Sequence, residues 1–313
     1  MKTLAALLAL TATVSANPLM DGADPHAMVI GKDYWMFPTE ANTREPIFAA
    51  YRSPDLREWK REGAILNLND IPWIKENGAP SHKPWAPSMA EKDGRFYFYY
   101  SVGPQSEQHP SRIGVASSDS PTGPFKDSGK PLLTGGNGFE AIDPMVFTDP
   151  ASKKSYFYAG GSAGSTLRVF EMAEDMVNFT REIKTTTPPH FTEGAFLHLH
   201  DGTYYLSYSH GPFNTAAYSV HYATSNSPEG PWKYRGRVLE SDASHQGPGH
   251  HAFVMNPSNG EWFIIYHRWE TAEKKGTYRG NRKIAAERVH YQKDGSIAPI
   301  PMTDADSPVS PIK

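Results

Sequence analysis

The chain has 313 residues, of which 38% are hydrophobic and 12% aromatic, ample for a large core. Its 31 basic and 34 acidic residues are interspersed and leave a formal net charge of -3; with no basic stripe, nucleic acid is excluded as a partner. Cysteine is absent, so no disulfide can staple the fold and the core must hold it alone.

Residues 1–16, MKTLAALLALTATVSA, carry Lys2, an apolar run from Leu4 to Leu10 and the small-residue end Val14-Ser15-Ala16. That is the pattern of a secretory signal peptide, so a secreted protein is expected, with residues 17–313 as a single domain. No later stretch reaches the ~20 apolar residues of a membrane span, and no membrane partner is expected. One glycosylation sequon is present, Asn178-Phe179-Thr180.

From residue 22 onward one unit recurs. An aromatic or aromatic-like pair marks the second strand of a hairpin five times: Tyr34-Trp35, Phe96-Tyr97, Tyr156-Phe157, Tyr204-Tyr205 and Trp262-Phe263. A short apolar strand precedes each pair: HAMVI, PSMAE, PMVFT, GAFLH and HAFVM. Turn residues such as Asp201-Gly202 separate the two, because the tight turn needs positive φ. A third strand follows each hairpin, and four of these run into related turns, ASSDSPTGPF and ATSNSPEGPW being nearly the same text. A fourth strand closes each unit. Five units of four antiparallel strands predict an all-β fold, a five-bladed β-propeller. The blades fall at about residues 22–70, 83–134, 140–186, 191–240 and 247–302. Each is expected to be complete in its own segment, with no strand borrowed from the N-terminus to close the ring.

The first strand of a propeller blade lines the central channel, so residues at its head converge on one mouth. That position reads Asp24 in ADPHAMV, Trp85 in KPWAPSM, Asp143 in IDPMVF, Glu193 in TEGAFL and His250 in GHHAFV. Taken singly, an Asp before Pro is a turn residue and a Trp is core. Three carboxylates in one confined place repel one another, which stability does not favour and acid–base chemistry uses. No EF-hand or zinc spacing is present, and His245 and His250 lack a third ligand for a catalytic metal.

The series Ala-Asp-Pro, Trp-Ala-Pro, Ile-Asp-Pro, Thr-Glu-Gly, Gly-His-His and Tyr-His-Arg resembles glycoside hydrolase family 43 over about residues 22–302. The resemblance implies an inverting enzyme acting on pentose-containing plant polysaccharides. It implies Asp24 as general base, Glu193 as general acid, and Asp143 as the carboxylate that orients Glu193 and raises its pKa. An inverting hydrolase needs its base and acid roughly 6.5–9.5 Å apart. Carried over in the same way, Trp85 is the aromatic wall of the sugar site and Arg282 meets sugar hydroxyls. His250 matches an axial histidine that reaches a calcium ion through water, with His251 its neighbour should the register slip by one. His267-Arg268 matches a further motif that reads equally well as a strand end. No cofactor is required, and a structural calcium near the axis is the one ion the resemblance allows.

The WMNDP-like motif of sucrose and fructan hydrolases and the Asp-boxes of sialidases are absent. A non-catalytic sugar-binding propeller is the reading of another class, although all three acids are retained. The loops at residues 67–84, 103–111 and 241–249 favour a pocket over an open groove, hence exo cleavage or side-chain removal. A monomeric α-L-arabinofuranosidase, with β-xylosidase activity in reach, is expected to act on arabinoxylan, arabinan or xylo-oligosaccharides. Endo-1,5-α-L-arabinanase and exo-β-1,3-galactanase stand as alternatives.

Overall fold

A computed structural model describes residues 17–304 and 311–313; the signal-peptide reading lies outside them. The described chain is almost entirely β and forms five small antiparallel sheets. Each sheet is one blade, so the chain is a five-bladed β-propeller, as the repeat predicts. The inner strands are Ala23–Ile30, Pro84–Lys92, Met145–Thr148, Glu193–His200 and His245–Met255. Against them lie the second strands Asp33–Thr39, Arg95–Val102, Ser155–Ala159, Thr203–His210 and Trp262–Glu270.

The second strands are sandwiched between blades, which is why they are rich in large apolar residues. Met36, Phe98, Phe157, Leu206 and Ile264 occupy equivalent places, paired with Ala27, Met89, Val146, Leu197 and Phe253. All five are fully buried. Their register puts the blade-three pair one residue earlier than the aromatic pattern suggests, at Ser155-Tyr156.

Two expectations about blade edges are corrected. The ring does borrow a strand: Met20–Asp21 pairs with Lys283–Val289 and forms the outer edge of blade five. Asn17 reinforces that edge, its buried amide bonding the Ala286 carbonyl and the Glu287 carboxylate while accepting the Ala286 N–H. The expected fourth strand, GSIAPI, makes a single bridge between Tyr291 and Ile297. In blade two the outer strand is split into Lys126–Asp127 and Leu133–Thr134, both on Arg112–Ser118.

At the head of each inner strand the chain bends through a left-handed residue. These residues are Asp24 (φ 49°), Ala86 (37°), Asp143 (56°), Gly194 (64°) and His250 (37°). In blades one, two, four and five the same place is a register break in the hairpin. A bulge of this kind re-aims a side chain, here toward the axis. Positive φ in Asp24, Asp143 and His250 costs energy and persists where the surroundings enforce it. The enforcement is visible. The freed amide of each residue donates to the preceding blade's second strand: Asp24 to His267, Ala86 to Thr39, Asp143 to Ser101, His250 to Ser209. The fifth acceptor place is Gly160, which has no side chain, and a Cβ there would meet the Thr166 carbonyl at 2.0 Å. The Gly194 amide turns instead to Asp143 Oδ2, at 2.9 Å.

Candidate active site

The bulges correct the sequence register in two blades. Trp85 and Glu193 sit one residue before the left-handed position, which Ala86 and Gly194 hold. Small residues there let the preceding side chain fill the mouth. Asp24, Trp85, Asp143, Glu193, His250 and Arg282 nevertheless line one pocket, together with Gln105, Ser162 and Phe213. Its volume is about 180 Å³, below the roughly 300–1,000 Å³ of sites for drug-sized ligands and suited to one sugar ring. Trp85 is fixed by Gly103, where a Cβ would lie 2.2 Å from the indole.

The three acids are buried, with 6%, 4% and 9% exposure for Asp24, Asp143 and Glu193. Their environments differ. Arg282 Nη1 donates to Asp24 Oδ1 at 2.7 Å, and His250 Nδ1 lies 3.6 Å from the same oxygen. His267 Nδ1 accepts the Asp24 amide at 3.2 Å and lies 3.3 Å from Oδ1. Burial alone would raise Asp24; the Arg282 charge first, and the His250 charge second, more than reverse this and hold it well below the usual carboxylate range. Glu193 has no cation in contact. Burial first, and the Asp143 charge second, push it up to about 8. The sequence attributed this rise to Asp143 alone, and desolvation is the larger cause. His250 Nδ1 lies 3.3 Å from Asp143 Oδ2, and although burial opposes its charge, Asp143 and Asp24 lift it to about 9. One pocket thus holds an ionised carboxylate and a protonated carboxyl at neutral pH, the pair an acid–base reaction needs.

Arg282 faces Asp24 directly, so its guanidinium is committed to that acid as well as lining the pocket. Four contributors escaped the sequence. Phe213 stands 45% exposed at the pocket lip with the Arg282 guanidinium 5.1 Å from its ring. Gln105 and Ser162 come from loops, where no periodicity marks them. Tyr218 donates to Glu193 Oε1 at 2.8 Å, yet reads as one packing aromatic among 16 tyrosines. His267 was evenly balanced in the sequence; it is the blade-five member of the ring of amide acceptors, set against Asp24.

A five-bladed propeller whose axial pocket sets a low carboxylate against a raised carboxyl defines a glycoside hydrolase. The chain belongs to glycosyl hydrolases family 43, whose model matches residues 15–297. The family is inverting, and its reaction needs no cofactor. The chain is 33% identical to a β-D-galactofuranosidase of Aspergillus niger, over 93% of this chain and 86% of that protein. It is 31% identical to a xylosidase/arabinosidase of Humicola insolens, over 75% and 78% of the two chains. Among solved structures it resembles a family 43 β-xylosidase/α-arabinofuranosidase from a compost microbial metagenome, in complex with xylotriose in a calcium-free form. The TM-score is 0.71 and the identity 28%, covering 90% of this chain and 96% of that one.

The residues do not fit the calcium ion that the resemblance allows. Calcium takes roughly six to eight oxygen ligands. His250 Nδ1 is turned to Asp143 and Asp24, and an imidazole nitrogen is not the oxygen ligand that calcium prefers. Deeper in, the inner strands supply the buried Ser88 hydroxyl and the neutral rings of His26 and His251, one oxygen against two nitrogen rings. Dialysis against EDTA is expected to leave kcat and Tm unchanged; a loss restored by calcium would show otherwise. A second group, His245 with Glu270 and Asp304, supplies the third ligand the sequence lacked. The fully buried Arg268 already bonds both carboxylates, at 2.8 and 3.1 Å, and takes the place a cation would.

Proposed function

We propose that the protein is a secreted, exo-acting hydrolase that removes single furanose or pentose units, foremost α-L-arabinofuranose, from plant cell-wall polysaccharides or their oligosaccharides. The observation that carries this reading is the opposite displacement of Asp24 and Glu193 inside a pocket of one-sugar size. Asp24 takes a proton from water, whose oxygen attacks C1 from the face opposite the leaving group. Glu193 gives its proton to the glycosidic oxygen as the C1–O bond breaks, and the product emerges with inverted configuration. Asp143 keeps Glu193 protonated by its charge and is itself held by the Gly194 amide and His250. A cleft of about 690 Å³ adjoins the pocket at Gln105 and leaves room for the remainder of an oligosaccharide. The relatives named for xylosidase and arabinosidase activity support the sugar class. Secretion rests on residues 1–16. We read the chain as a monomer.

The 33% identity to a galactofuranosidase favours a second reading, β-D-galactofuranosidase, since that sugar shares the ring stereochemistry of α-L-arabinofuranose and differs in its exocyclic arm. The test is hydrolysis of 4-nitrophenyl α-L-arabinofuranoside, β-D-xyloside and β-D-galactofuranoside, with arabinan and arabinoxylan beside them and product anomers followed by NMR. The fastest arylglycoside decides the sugar. Retained configuration overturns the mechanism, and no release from any substrate favours a sugar-binding propeller.

A further inference from the structure

Tyr218 is fully buried just ahead of the third strand of blade four and does not line the pocket. Its ring stacks on His267 at 5.7 Å and 7°, and presses on Gly249, where a Cβ would come within 2.0 Å. The ring therefore has one position. Its hydroxyl lies 2.8 Å from Glu193 Oε1.

Tyr218 is the donor in this bond. The His250 amide donates to Ser209 Oγ at 2.8 Å. An amide cannot accept in return, so Ser209 keeps its own proton to give and makes no demand on that of Tyr218. Tyr218 then has its own proton to give, and Glu193 Oε1 receives it. The carbonyl oxygen of a protonated carboxyl is its better acceptor, so a hydroxyl donating to Oε1 favours the acidic proton on Oε2. The other groups facing Glu193 are Asp143 from blade three, His250 from blade five and Asp24 from blade one. None of these has a recorded hydrogen bond to its side chain.

We propose that Tyr218 is a positioning residue for the acid: held in one place by His267 and Gly249, it donates to Oε1 and so confines the proton of Glu193 to Oε2. The inference rests on Glu193 acting as general acid. Its donation also favours the ionised form of Glu193 and so opposes the rise caused by burial and Asp143.

The test compares wild type, Tyr218→Phe and Glu193→Gln on aryl glycosides of the preferred sugar, with leaving groups running from 2,4-dinitrophenol to 4-methoxyphenol. The Phe ring keeps the packing, and Tm is checked alongside. For Tyr218→Phe the expected result is a loss of about tenfold in kcat with 4-methoxyphenol, as for one hydrogen bond to an ionisable group. The loss should be slight with 2,4-dinitrophenol, which departs without a proton, and KM should be unchanged. The alkaline limb of kcat against pH should move upward, because the carboxylate has lost a donor. A uniform loss across leaving groups, or an unmoved limb, overturns the role of Tyr218. If Glu193→Gln itself loses equally with every leaving group, the general-acid reading falls instead.

Discussion

Asp24→Asn is expected to lower kcat by about 10³-fold on every glycoside, whatever its leaving group, since a base contributes roughly 10²–10⁴ and is needed in each turnover. The amide keeps the size of the side chain and cannot take a proton from water. It also leaves the Arg282 and His250 cations facing a neutral group. Breaking a buried pair from one side costs about 3–5 kcal/mol, so Tm should fall as well. Because Asp24 is depressed in the folded state, its contribution is present above the ordinary carboxylate pKa and is lost as pH falls through its own lower value. The deficit in Tm should therefore be full at pH 7 and shrink in strong acid. Circular dichroism with a kcat series reads both effects. A variant that keeps more than a tenth of wild-type turnover would remove Asp24 from the base role.

Glu193→Gln should have the opposite signature in stability. Glu193 titrates near 8 when folded, against an ordinary glutamate value near 4.5. A carboxyl raised in this way contributes stability below the unfolded value and loses it as pH climbs toward 8. The variant removes a buried negative charge from beside Asp143, so at pH 9 its Tm should exceed that of wild type, by an amount on the order of a few kcal/mol in free energy. Near pH 4 the two should melt together. Turnover should drop about 10²–10⁴-fold where the leaving group needs a proton, and the fall of kcat expected of wild type above pH 8 should be absent from the variant. Equal melting at pH 9 would mean that Glu193 is not the group held protonated by burial.

The sequence carried the propeller because its signal is repetitive: five buried strand centres, Met36, Phe98, Phe157, Leu206 and Ile264, each follow a turn and face a neighbouring blade. The three acids were legible for the same reason, since the head of an inner strand is a fixed place. What escaped had no period. The two residues Met20–Asp21 are too few to show alternation, and their partner strand lies at Lys283–Val289. The one-residue offset of Trp85 and Glu193 arises from bulges, which pattern matching does not count. Tyr218 and Phe213 act from just before a third strand and from a loop, where an aromatic reads first as packing.

The strand that completes blade five has a consequence for the order of events in the cell. Asp21 precedes its partner Lys283 by 262 residues, so the nascent chain carries one half of a latch long before the other half exists. Pairing at so long a sequence separation is slow to form. Until it forms, the strand Lys283–Val289 is an open sheet edge, the kind that templates aggregation. The reaction centre is subject to the same delay, because Asp24 comes from the first blade and His250 and Arg282 from the last. Before blade five is made, the chain holds Glu193 and Asp24 without the arginine that bonds Asp24. The axial pocket is therefore assembled only once blade five has been made, and the rim latch closes on that same blade.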